Sequence, residues 1–122
     1  MKKIFLSFIL LIAVAFMASA ATAFVIGTDL ISWNADFKVF ITGGTDYSSV
    51  TVFRFMEYVC GVVDANFDLG GSKGPTWFKL PIGTTVRDVS VVVSNYLDNH
   101  PEKTNESGAF IVVEALSNAF PH

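Results

Sequence analysis

The sequence predicts an all-α fold, a small bundle of about four helices following a cleaved N-terminal signal peptide. Three observations carry this expectation. Beyond the leader, apolar residues recur at three- and four-residue spacing in segments longer than ordinary strands. The ends of these segments carry helix-capping residues or Gly and Pro breaks. The single cysteine, Cys60, leaves no internal disulfide framework. Apolar stripes in such a chain are buried only against one another, which makes a bundle.

The leader comes first. Met1-Lys2-Lys3 is a short basic start, and Ile4 to Ala18 is apolar except for Ser7. Ala18-Ser19-Ala20 and Ala21-Thr22-Ala23 both present the small-x-small pattern that a signal peptidase accepts. Cleavage is expected after Ala23, with Ala20 as the alternative, so that residues 1–23 are a signal peptide and residues 24–122 one domain. An uncleaved anchor would need a longer apolar run. No cysteine follows the small residues, so no lipid anchor is indicated. The expected location is periplasmic or secreted.

Removing the leader changes the arithmetic. The whole chain has 122 residues, 52% of them apolar, and a formal charge of -3. The remaining 99 residues hold 45 apolar ones, an ordinary fraction, and six basic against eleven acidic side chains leave -5. An acidic domain without a basic stripe is a poor nucleic-acid binder. No second apolar run reaches the roughly 18 residues that span a bilayer, so no membrane contact is expected of the mature form.

Four segments follow. The first is expected from about Thr28 to Lys38, with Thr28 and Asp29 preceding Leu30 and Ile31. Gly43-Gly44 interrupts the chain after it. The second runs from about Tyr47 to Phe67, where Val52, Phe55, Met56, Val59, Val62, Val63 and Asn66 share a face. Its β-branched content permits a strand, but some twenty residues without Pro or a turn signal favour a helix. Gly61 inside it costs about 1 kcal/mol relative to Ala, and a close helix crossing would explain it. Cys60, among apolar neighbours, is expected to be a buried, unreactive small hydrophobe.

Asp68 to Gly83 reads as a surface loop, rich in Gly and Pro, with Trp77 to Leu80 tucked back onto the core. The third segment starts at Thr84 or Thr85, where Thr85 and Asp88 form a capping-box pattern. Val86, Val89, Val92, Val93, Tyr96 and Leu97 follow helical spacing up to a stop at Pro101, against a shorter strand pattern at Val89, Val91 and Val93. The fourth is expected to begin near Thr104 or Asn105, with Ala109, Val112, Val113, Leu116, Ala119 and Phe120 on its apolar face.

Catalytic chemistry finds little support. His100 and His122 are the only histidines, and no G-x-S-x-G, H-E-x-x-H or C-x-x-C occurs. A Cys60–His100 thiol–imidazole pair is disfavoured by the apolar setting of Cys60; His100 reads instead as a cation near a helix C-terminus. Asp64, Asn66 and Asp68 alternate like the start of a calcium loop, but position twelve is Pro75 rather than Glu, so they read as a solvated helix end. Gly70 to Gly74 lacks the spacing of a phosphate loop. Trp33, Trp77, Phe37 and Phe78 suit core packing better than a ligand pocket. No enzyme activity, metal or cofactor is expected, and binding is left as the means of action.

Several motifs in order then resemble a known family. They are Gly27-Thr28-Asp29-Leu30; Tyr58 to Asp64 as Y-[IV]-x-G-[VI]-x-D; Pro81-x-Gly83; Val92-Val93-x-x-Tyr96-Leu97-x-x-His100-Pro101-Glu102; and Ala109, Ala115-Leu116 and Ala119-Phe120-Pro121. Together they resemble the Rap/Tai family of periplasmic immunity proteins. The resemblance implies a mainly α-helical, often dimeric protein. It further implies protection against amidase effectors of type VI secretion, which cleave peptidoglycan peptides, by obstruction of the toxin's active-site cleft. Family cysteines aligned with Asn34, Phe55, Lys79 and His122 are absent here, so helix packing must replace the stabilisation that two disulfides would give.

A plug for such a cleft should be a polar loop. The candidate lies between the third and fourth segments, with Asp98, Asn99, His100, Glu102 and Lys103 as partner-binding residues. A plain helix connection shaped by His100 and Pro101 is the competing account, and Asp68 to Thr76 is the rival loop. A structural, chaperone-like or small-ligand-binding role in the periplasm is the alternative function.

Overall fold

The computed structural model describes residues 24–67 and 76–122, so the leader, the phosphate-loop-like glycines and nearly all of the rival loop lie outside the described residues. The described residues form four helices and their connections: α1 (Gly27–Ile41), α2 (Ser49–Ala65), α3 (Val86–Asn99) and α4 (Gly108–Ala119). Each packs on the other three, so the all-α bundle is the fold of the chain. The strand reading of Val89 to Val93 gives way to α3.

The caps show where local sequence sufficed. At α3 the Asp88 N–H donates to Thr85 Oγ1 (3.1 Å) and the Thr85 N–H to Asp88 Oδ2 (2.9 Å), the reciprocal pair read from the sequence. These bonds hold the Asp88 carboxyl below its ordinary range. Ser48 caps α2 by accepting from Thr51 N. At α1 the start lies earlier than expected: Ile26 is the capping residue and Asp29, three residues on, accepts the Ile26 N–H (3.0 Å). The fourth helix starts later than Thr104 or Asn105 suggested. Ser107 caps it, because residues 104–106 are engaged against α1 instead.

The core joins Leu30 and Phe37 of α1, Val52, Phe55 and Val59 of α2, Val89, Val93 and Leu97 of α3, and Ile111, Val112, Ala115 and Leu116 of α4. The Phe37 and Phe55 rings meet at 4.9 Å, tilted by 37° to each other. The faces of two helices are rotated from the expected ones. In α3 the small Ser90 and Ser94 are buried while Val86 is exposed; in α4 Ala109 and Ala119 are exposed and Ile111 is buried. Ser90 satisfies its hydroxyl by donating to Val86 O (2.7 Å), which lets a polar residue line a tight helix contact.

Three single-residue expectations are corrected. Asn66 is fully buried rather than solvated. Its Oδ1 accepts the Trp77 N–H (2.9 Å) and its Nδ2 donates to Phe78 O (3.3 Å), which seats the Phe78 ring in the core. Cys60 is only partly buried, with Sγ 4.0 Å from Asp64 Oδ2. Gly61 is exposed, and a Cβ added there meets nothing within 4 Å among the described residues, so no crossing of the described helices accounts for it.

The close approach occurs at Gly27 instead. Its N–H donates to Glu106 O (2.9 Å), Thr28 N to Thr104 O (3.0 Å), and Gly108 N to Val25 O (2.7 Å), around an antiparallel bridge between Ile26 and Ser107. The α3–α4 connection is thereby strapped to the start of α1. At the other end, Lys79 N donates to Phe120 O (3.2 Å) and Thr76 hydrogen-bonds His122. Hydrogen bonds thus join the segments around Lys79 and His122, two of the positions where the resemblance implied cysteines.

Candidate functional site

The α3–α4 connection brings Asp98, Asn99, His100, Glu102 and Lys103 onto one continuous turn, but the five side chains do not share a role. Asp98, in the last turn of α3, points its carboxylate at α1. Its Oδ1 accepts from Lys38 Nζ (3.1 Å) and Asn34 Nδ2 (3.2 Å). Asn34 is buried, and its own Oδ1 has no partner among the described residues, so this link holds α1 to α3.

Lys103 also turns inward and is only 16% exposed. Its ammonium donates to Glu114 Oε2 (2.8 Å) and to both Glu106 oxygens (3.2 and 3.3 Å), while the Tyr96 hydroxyl donates to the same Glu114 oxygen. The consequences for charge follow from the contacts. The Glu114 and Glu106 carboxylates push the Lys103 ammonium up. Lys103 and then Tyr96 hold Glu114 below its ordinary range. Burial, reinforced by the bond to Glu114, pushes the Tyr96 hydroxyl up to about 12.

Three residues remain turned to solvent. His100 caps α3 through its N–H to Leu97 O, its ring stacks on Tyr96 at 4.2 Å, and its Nδ1 lies 3.1 Å from Glu102 Oε1. Glu102 is 66% exposed; bonding from its own backbone and from His100 keeps its carboxyl below the ordinary range. Asn99 is exposed and has no side-chain bond among the described residues. A loop so tied loses little conformational freedom on meeting a partner, which favours binding.

Among the described residues the titratable side chains considered for catalysis lie apart. His100 packs on Tyr96 and Glu102, whereas the neighbour of Cys60 is Asp64. Burial, then the negative charges of Asp64 and Glu57, push the Cys60 thiol up, away from a reactive thiolate. Among the described residues no three metal-ligating side chains cluster, and no helix is long and apolar enough to cross a membrane. Of the four aromatics expected in the core, Phe37 and Phe78 are there; Trp33 is only partly buried and Trp77 is exposed, a correction to the core expectation, and the two indoles line different surface hollows.

The helical order, and the strap that begins at Gly27, coincide with a family pattern: the sequence model of the Rap1a immunity proteins matches residues 27–121. The chain belongs to this family. Neither a curated protein nor a solved structure matches it. As a Rap1a immunity protein, it acts on an effector by binding, and such proteins generally work without catalysis. The match starts at the glycine whose missing side chain makes room for the Lys103 carbonyl and ends one residue past Phe120, whose carbonyl accepts from Lys79.

The residues that support the loop were not found from sequence. Asn34, Lys38, Tyr96, Glu106 and Glu114 are ordinary polar residues of amphipathic helices and their flanks, and only their meeting in space gives them this part. The one available signal was the Tyr96-x-x-x-His100 spacing, which stacks two rings one helical turn apart.

Proposed function

We propose that this Rap1a immunity protein neutralises a peptidoglycan amidase effector of type VI secretion by placing the α3–α4 loop in the toxin's cleft. The observation that carries the reading is the division of labour in that loop. Asp98 and Lys103 are spent on holding it, while Asn99, His100 and Glu102 face outward on a backbone fixed to α1 and α4. In this account the first pair acts on the partner through loop geometry and the other three touch it. Inhibition takes place in the periplasm, after export and removal of residues 1–23, and the protein is a homodimer.

The test is co-expression with candidate amidases exported to the periplasm, scored by growth. Rescue by the parent chain and its loss with Glu102→Lys are expected. Absence of rescue against every amidase removes the reading. N-terminal sequencing of the exported chain should begin at Phe24, and sedimentation should give the mass of two chains.

A further inference from the structure

Gly61 is the residue the fold leaves unexplained. It stands inside α2, where glycine weakens a helix relative to alanine. Its position is exposed, and a methyl group placed there would meet nothing within 4 Å. No contact within the described chain requires the missing side chain. The other use of a glycine at such a place is to let a second backbone come close.

Among the described residues, the surroundings are those of an unpartnered face. Val50, Phe53, Glu57 and Gly61 follow one another along the outer side of α2 at helical spacing, and Val50 and Phe53 are 64% and 61% exposed. Beside Gly61 a groove of about 540 Å³ opens between α2 and α4, lined by Tyr58, Val62, Val113, Trp77 and Phe110. Trp77 and Phe110 are 52% and 55% exposed, unusual for side chains of that size. The volume falls in the range of ordinary binding sites.

We infer that this groove receives a helix of a heterologous protein, crossing α2 at Gly61, with a bulky apolar side chain in the groove and a Lys or Arg beside Glu57 and Asp64. The inference rests on the reading of the chain as a protein-binding inhibitor and adds a second contact surface to the loop. Charge decides the kind of partner. Glu57 and Asp64 stand one turn on either side of Gly61, both exposed, and among the described residues neither forms an ion pair. A second copy meeting this one about a two-fold axis at Gly61 would bring the same acids against each other. A basic helix meets them favourably, and the net charge of -5 on residues 24–122 speeds its approach. The anionic surface of a membrane would be repelled by the same acids. The surface belongs to the helix-in-groove mode, in which apolar anchors at three- and four-residue spacing carry affinity.

The test is calorimetric titration of the processed chain with a synthetic amphipathic helical peptide of Leu and Lys, and with the same peptide carrying Glu for Lys. The Lys peptide should bind with micromolar affinity and the Glu peptide should not. Gly61→Gln, Phe110→Asp and Glu57→Lys should each weaken binding at least tenfold. Gly61→Ala should raise Tm by a few degrees, since none of the described residues opposes the methyl group. Absence of binding, equal binding of both peptides, or indifference to Gly61→Gln would overturn the proposal. So would a change in the oligomeric state of the free chain on Gly61→Gln, which would make a second copy the occupant. Rescue of growth against an exported amidase is scored separately, so a failed groove leaves the loop reading standing.

Discussion

Replacing Gly27 by alanine should destabilise this protein, although helix propensity alone says the reverse. Alanine is the better helix former by about 1 kcal/mol in a helix interior. At Gly27, however, the new methyl group would overlap the Lys103 carbonyl oxygen and lie 2.7 Å from its carbon and 3.0 Å from Thr104 Cα. Ordinary non-bonded contacts are about 3–3.5 Å or more, so the overlapping Lys103 carbonyl must retreat by about 1.5 Å, and the Lys103–Thr104 backbone with it. That movement breaks or stretches three bonds: Gly27 N to Glu106 O (2.9 Å), Thr28 N to Thr104 O (3.0 Å) and Thr28 Oγ1 to Thr104 O (3.1 Å). Such bonds contribute about 0.5–1.5 kcal/mol each. Water recovers part of the loss at the exposed Thr28, and the expected net cost is about 2–3 kcal/mol. For a domain of this size that lowers Tm by roughly 10–20 °C. Urea unfolding followed by circular dichroism gives the free energy, and amide exchange at Thr28 reports the strap directly. A variant within 0.5 kcal/mol of the parent, or more stable than it, would refute the argument that the α3–α4 loop is fixed through Gly27.

Other consequences follow from the same contacts. Asn66→Ala leaves the Trp77 N–H and Phe78 carbonyl without their partner and should cost about 2–4 kcal/mol in urea unfolding, with Trp77 fluorescence shifting as its segment loosens. Alkaline pH should weaken the fold. Tyr96 ionises at about 12 when folded against an ordinary 10.0, so its contribution is complete below pH 10 and is lost as pH rises towards 12. The raised Lys103 acts in the same direction, and Tyr96→Phe should flatten the dependence of the urea midpoint on pH between 9 and 11. On the acid side, the lowered Glu114 stabilises the fold above its ordinary value of 4.5, and this is lost as pH falls below it. Charge reversal should separate the loop residues. Lys103→Glu sets a third carboxylate beside Glu106 and Glu114 and should lower Tm. Glu102→Lys, on an exposed side chain, should leave the unfolding midpoint unchanged while weakening the effector complex.

By itself, the sequence determined the four helices and much of their punctuation. Helical spacing and caps such as Thr85 with Asp88 act within three or four residues, so they are written in the local chain. The all-α bundle and the place of the α3–α4 loop followed from these. Tertiary structure alone decided which side of each helix faces inward, and by how much. Val89, Val93 and Leu97 are buried as expected, but Ser90 and Ser94 join them inside while Val86 is left exposed. Cys60 reaches the surface and Gly61 faces solvent because no other described helix covers that side of α2. Asp98 and Lys103 look like surface charges in sequence, yet their partners lie 60 residues away in α1 and 11 away in α4. Local energetics select a helix, but the function of a side chain depends on what the other helices bring against it, and no local pattern encodes that.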